Sequence, residues 1–138
     1  MDINIKHFIP KEEHRGALET LLFQLSGKKR SVNLETHPDS YLIGAFESEK
    51  LIGFTQIFVL HKCAFTFGLL EDVIVDEIYR NQGIGKRLIL QAISHAKEKG
   101  AERVNLTSRP KRRAARKLYE SLGFIKQETE VFRLELTV

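Results

Sequence analysis

A chain of 138 residues, 42% hydrophobic and 29% charged, is long enough for one domain that buries roughly two thirds of its unfolded surface, which argues against a disordered protein. No apolar run has the length of a membrane span, and the opening MDINIKHFIP lacks the charged-then-apolar layout of a leader, so a cytoplasmic protein without membrane contact is expected. The net charge of +4 suits an anionic partner, nucleic acid and phosphorylated cofactor alike, and the single cysteine, Cys63, excludes an internal disulfide.

In chain order, Ile3, Ile5 and His7 alternate with Asn4 and Lys6 as in an opening strand. Pro10 marks a helix start, and Leu18, Leu21, Leu22 and Leu25 form its apolar stripe. Residues 26–40 lose all periodicity and carry Lys28-Lys29-Arg30; a loop of this length is often functional and is assigned to the acceptor side, the alternative being a mobile solvated segment. Residues 41–46 and 51–60 flank Glu47-Ser48-Glu49-Lys50 as a β-hairpin. Cys63 follows, expected as a buried or half-buried spectator with His61 a weak activator. A β-branched strand over 69–75 completes a meander of three antiparallel strands.

Next comes Arg80-Asn81-Gln82-Gly83-Ile84-Gly85, leading directly into a helix with Ile84, Leu88, Ile89, Ala92, Ile93 and Ala96 on one side and Gly100 as its stop. Strand, glycine loop and helix start together gather free backbone N–H groups and the positive end of the helix dipole, a site for an anion such as a phosphate. Neither a Walker loop nor a dinucleotide fingerprint fits, since the first needs four residues between its glycines and the second a third glycine where Leu88 stands. A strand over 103–107 then gives a βαβ unit with parallel strands. A helix from Pro110 to about Leu122, with Ala114, Ala115, Leu118 and Leu122 as its stripe and Gly123 as its stop, precedes two last strands at 124–126 and 131–136. The fold class is α/β (α+β), a single domain over 1–138 with a mixed sheet flanked by helices in the order β-α-β-β-β-α-β-α-β-β.

The spacing Arg80-x-Gln82-Gly83-x-Gly85, followed by Ala115-x-x-Leu118-Tyr119-x-x-x-Gly123-Phe124, resembles the two signatures of GNAT superfamily N-acetyltransferases, in the correct order. The resemblance implies acetyl-coenzyme A (acetyl-CoA) as cosubstrate and the amine of a small molecule or peptide as acceptor. It gives the N–H groups of Gln82, Gly83, Ile84, Gly85 and Lys86 to the pyrophosphate, and the backbone of Val73 and Val75 to the pantetheine arm, in a slot made by a bulge in the central strand. Two positions depart from the pattern: Arg112 stands where many members have a pantetheine-binding asparagine, and Glu77 where a proline is common.

Acetyl transfer to an amine needs a neutral nucleophile, a polarised carbonyl and a proton for the departing thiolate. On the resemblance Tyr119 is the general acid, against the alternative of a core tyrosine with a satisfied hydroxyl. Glu71 and Asp72 are the available carboxylates; they point to opposite faces of an unbulged strand, and Glu71, sharing a face with Val73 and Val75, is taken as general base. Arg80 either contacts phosphate or pairs with Asp76 or Glu77. Arg112, Arg116 and Tyr119 share one helix face, whose arginines are assigned to the coenzyme's phosphates. Phe54, Gln56, Phe58 and Lys28-Lys29-Arg30 are candidate acceptor contacts, the basic residues hinting at an acceptor with a carboxylate or phosphate. No metal site is expected, and a second copy of the chain is left open as a partner. The competing functions are an acyl-CoA binder without turnover and, less favoured, nucleic-acid binding through KRRAARK and KKR.

Overall fold

The computed structural model describes residues 2–137, in two compact units, the first ending at Thr107 and the second beginning at Ser108. The first holds β1 (Ile3–Phe8), α1 (Glu12–Ser26), β2 (Ser40–Glu47), β3 (Lys50–His61), β4 (Thr66–Val75), a 3₁₀ turn (Glu77–Tyr79), α2 (Ile84–Glu98) and β5 (Val104–Asn105). The strands form one sheet in the order β1-β2-β3-β4-β5, antiparallel from β1 to β4 and parallel between β4 and β5. The hairpin, the antiparallel meander and the parallel unit read from the sequence are all present.

Each sheet face is covered by the helix whose apolar spacing matches it. Leu18 and Leu21 of α1 pack with Phe8, Phe46, Phe54 and Ile74. On the other face a Cβ placed on Gly53 would lie 3.5 Å from Leu88, and one on Gly68 3.3 Å from Ala96, so α2 lies close against the strands there. Adjacent residues of a strand point to opposite faces, which is why Gly53 meets α2 and Phe54 meets α1. Ile84, Leu88, Ile89, Ala92 and Ala96 are all buried. Each large side chain among them stabilises the fold by roughly 1.5–3 kcal/mol, enough to pin the first turn of α2 against the sheet.

The first helix begins two residues after Pro10, at Glu12, where the Lys11 backbone N–H donates to His14 Nδ1 at 2.9 Å. The strand expected over 103–107 is reduced to Val104–Asn105. Cys63 is exposed, not buried, because it lies in the turn joining β3 and β4.

The second unit holds α3 (Arg113–Ser121). This helix starts at Arg113 and not at Pro110, because 109–112 form a turn closed by the Arg112 N–H donating to the Arg109 carbonyl at 3.0 Å. The two strands expected at 124–126 and 131–136 do not form, and Ile125 and Phe132 are 80% and 89% exposed. The segment keeps its alternating pattern, but a two-stranded hairpin alone is marginal in water and this unit contains no sheet to receive it. No described helix is long and apolar enough to cross a membrane.

Candidate functional site

The site begins with a fault in β4. Phe54 pairs with Ile74 and Gln56 with Glu71, so Thr55 alone faces Asp72 and Val73. This is a β-bulge, and Asp72 takes the left-handed φ of +57° that one extra residue requires. The Thr55 side chain, buried in the sheet, donates its hydroxyl to the Glu71 carbonyl at 3.0 Å and fixes the fault in place. Cross-strand partners share a face, which puts Glu71 with Gln56 and Ile74 with Phe54. Glu71 therefore does not share a face with Val73 and Val75, as unbroken alternation would require; the bulge inserts one residue between them and resets the order.

Along its other edge β4 pairs with β5 only at Gly68↔Val104 and Leu69↔Asn105, and within this unit it runs on unpaired to Val75. The chain then turns through the 3₁₀ segment, where the Asp76 carboxylate accepts from the Ile78 N–H at 3.3 Å. Arg80 pairs with neither Asp76 nor Glu77. Its Nε donates to the Val75 carbonyl at 2.9 Å, and its Nη2 lies 3.4 Å from Gln24 Oε1 of α1, so it ties the loop to the end of β4.

Gly83 enters α2 at φ +78°, a conformation that costs other residues, and no side chain caps the helix. The N–H groups of Ile84, Gly85 and Lys86 precede the first intrahelical bond, in which Arg87 N–H donates to the Gly83 carbonyl at 3.2 Å. The first turn has no acidic residue and carries Lys86 and Arg87, charges that oppose the helix dipole. Gly85 costs a helix about 1 kcal/mol relative to alanine, yet a Cβ there would meet only Val75 at 3.9 Å. Packing inside the protein therefore does not require this glycine. Uncapped N–H groups, basic first turn and bare backbone all fit a bound anion, and the residues present suit a diphosphate.

On the α1 side of the sheet lies a cavity of about 250 Å³. Asp72, Gln56 and Phe54 come to it from β4 and β3, His7 from β1 and Tyr41 from β2. The loop 27–39 closes it with Val32, Asn33 and residues 35–38, Glu35 and His37 among them. Two bonds clip that loop to α1: Arg15 Nη1 donates to the Val32 carbonyl at 2.7 Å, and the Val32 N–H donates to Glu19 Oε2 at 3.1 Å. Gln56 is oriented by donating to the Ser40 hydroxyl at 2.7 Å, and Tyr41 by donating to the Pro38 carbonyl at 2.8 Å. Burial raises the Asp72 carboxyl above its ordinary range, with the Arg30 guanidinium opposing it. Burial, then the Asp72 charge, raises Glu71 likewise.

In the second unit Tyr119 is half-buried on α3, its ring 6.0 Å from that of Phe124. Burial raises its phenol above the usual value and the Arg112 charge opposes this. The other two tyrosines donate to Pro38 and Glu47, whereas the Tyr119 hydroxyl makes no hydrogen bond among the described residues. Arg116 donates to the Pro110 carbonyl at 3.1 Å.

Residues 7–124 match the model of the acetyltransferase (GNAT) family. The chain belongs to that family. It is 36% identical over 77 residues to N-alpha-acetyltransferase 30 of Xenopus laevis, covering 56% of this chain and 28% of that one. It is 41% identical over 69 residues to glucosamine 6-phosphate N-acetyltransferase of Trypanosoma brucei brucei, covering 50% and 44%. The chain thus spans less than half the length of these two relatives. A solved Trypanosoma brucei acetyltransferase superposes over 98% of this chain and 100% of its own with a TM-score of 0.82 at 23% identity, a likeness of fold.

As a GNAT chain it gathers Val73, Val75, Arg80, Gln82, Gly83, Ile84, Gly85 and Lys86 around the junction of β4 and α2, while Arg112, Arg116 and Tyr119 lie on and just before α3. Phe54 and Gln56 line the cavity; Phe58 does not, nor do Lys28, Lys29 and Arg30, which precede the clip at Val32 where the lining part of the loop begins. The sequence reading missed His7 and Tyr41 as cavity residues and Thr55 as the clamp of the bulge, and it reached Glu35 only as part of the loop assigned to the acceptor side. A signal for the bulge was available: two adjacent carboxylates inside an apolar strand are hard to place under strict alternation.

Proposed function

We propose that this chain is an N-acetyltransferase that moves the acetyl group of acetyl-CoA to a primary amine of a small molecule or peptide, with residues 1–138 acting as one domain. The observation that carries the reading is the uncapped start of α2: free N–H groups, a basic first turn and a glycine at 85 that internal packing does not require. Bound acetyl-CoA supplies an activated thioester. The N–H groups of Gln82 to Lys86 hold its pyrophosphate, with Arg112 and Arg116 neutralising further phosphate charge. The unpaired edge of β4 at Val73 and Val75 receives the pantetheine amides as an added strand would.

Glu71 takes the proton of the attacking amine, a role favoured by a carboxyl whose pKa is raised toward working pH. Tyr119 donates to the departing sulfur. Its raised phenol keeps the proton at neutral pH, and its hydroxyl is not committed to another group among the described residues. The test has two parts. In thermal denaturation acetyl-CoA should raise the midpoint while ATP and NAD have little effect, since only a ligand of the folded state stabilises it. Thiol release with an amine panel then separates an enzyme from a binder. Binding without release for any amine would leave an acyl-CoA-binding module, and no binding would overturn both.

A further inference from the structure

The protein carries a net charge of +4, yet no lysine or arginine lines its cavity, and the two charged side chains that do are the carboxylates Asp72 and Glu35. Glu35 is exposed at the loop, whereas Asp72 is half-buried and makes no hydrogen bond or ion pair among the described residues, and the charge of Arg30, which lies outside the lining, offsets only part of the cost of its burial. A carboxylate drawn out of water and only partly compensated gains from a ligand of opposite charge. The bulge brings Asp72 there, since it sets its φ at +57°, and the surrounding wall is largely apolar and aromatic, with Phe8, Leu18, Leu22, Phe54 and Tyr41.

We infer that the cavity is the acceptor subsite, that Asp72 is its specificity-determining residue, and that the acceptor is a small cationic amine with an apolar body and no phosphate or carboxylate. This rests on the reading of the chain as an acetyltransferase. The cavity of about 250 Å³ is below the usual range for drug-sized ligands and suits a small amine. A phosphorylated amino sugar would bring its dianion against Asp72 and Glu35 with no lysine or arginine on the wall to meet it. Lys28, Lys29 and Arg30, expected as contacts for an anionic acceptor, lie outside the lining, and Arg30 acts on Asp72 only through its charge.

The experiment is calorimetric titration of the protein, alone and loaded with CoA, with phenethylamine, propane-1,3-diamine and glucosamine 6-phosphate. Phenethylamine is expected to bind at least tenfold more tightly than glucosamine 6-phosphate, with the diamine between them. Asp72→Asn should lose at least tenfold for both unphosphorylated amines, and asparagine tolerates the left-handed φ, so the bulge survives. Glu35→Gln, at the exposed loop, tests the electrostatic part with no demand on the fold and should lose two- to threefold. Tighter binding of glucosamine 6-phosphate, or unchanged amine affinity in Asp72→Asn, would overturn the inference. Failure of CoA itself to bind would instead strike the acetyltransferase reading, because the amine titrations do not depend on it.

Discussion

The two ends of the bulged half of β4 are made from opposite materials. Past Val75 the chain presents bare main chain: N–H groups of one helix turn, glycines at 83 and 85, and the positive end of a dipole. At Asp72 it presents side chains gathered from three other strands, a helix and a loop around a carboxylate. On the proposed reading a single strand offers a positive cradle to the cosubstrate and a cavity with two carboxylates to the acceptor. The bulge lies between the two: Asp72 in it faces the cavity, and beyond it β4 keeps its pairing with β3 while its other edge is unpaired within the first unit.

Breaking the cradle should have the largest effect. Gly85→Glu sets a carboxylate against the diphosphate and is expected to weaken CoA binding at least about 100-fold by titration calorimetry. Gly85→Ala sharpens the point. It should raise the unliganded melting temperature by about 3–5 °C, corresponding to about 1 kcal/mol of helix propensity, while weakening CoA binding. A glycine kept for packing would give the reverse in both measurements.

Next in size is the proposed acid. Tyr119→Phe should lower kcat about 10- to 100-fold with little change in KM for acetyl-CoA, measured by thiol release. Full turnover would remove the phenol from the mechanism. Smaller still is the loop clip. Arg15→Ala removes the bond to the Val32 carbonyl and should raise KM for the amine several-fold, leaving CoA affinity unchanged. An equal loss of both would mean that the substitution disturbs α1 and not the cavity alone.

The smallest effect is on stability and has a definite sign. Asp72 has a raised carboxyl, so the folded state binds more protons than the unfolded one between the ordinary value of 3.8 and the raised value. Stability from this group therefore falls as pH rises through that window. Asp72→Asn should melt at a higher temperature than the parent at neutral pH, and the difference should vanish below the window. A destabilised variant at neutral pH would mean that the carboxylate has a partner in the folded protein.

The contrast between the two ends also explains what could be read in advance. The cradle is made by consecutive residues, and glycine spacing, an apolar stripe and a preceding β-branched strand are local signals; Arg80 to Lys86 fall where that pattern puts them. The cavity joins His7, Glu35, Tyr41, Gln56 and Asp72, residues distant in sequence whose meeting depends on register and on one fault in β4. Strict alternation misplaces Glu71 once that fault exists. Lys28-Lys29-Arg30 illustrates the same limit: a charge run is visible in the sequence, but the bonds that join Val32 to Arg15 and Glu19, and so tie the loop to α1, are not. Residues 124–137 differ again, keeping a strand's alternation without a ladder, because pattern supplies a face and pairing needs an edge.

The most direct test of the cradle is an amide-resolved NMR titration of the ¹⁵N-labelled protein with CoA. The largest shifts should fall on the N–H groups of Gln82 to Lys86, with a second group at Val73 and Val75, and Gly85→Glu should abolish both. Shifts confined to 109–117, or none between Gln82 and Lys86 at saturating CoA, would contradict the account.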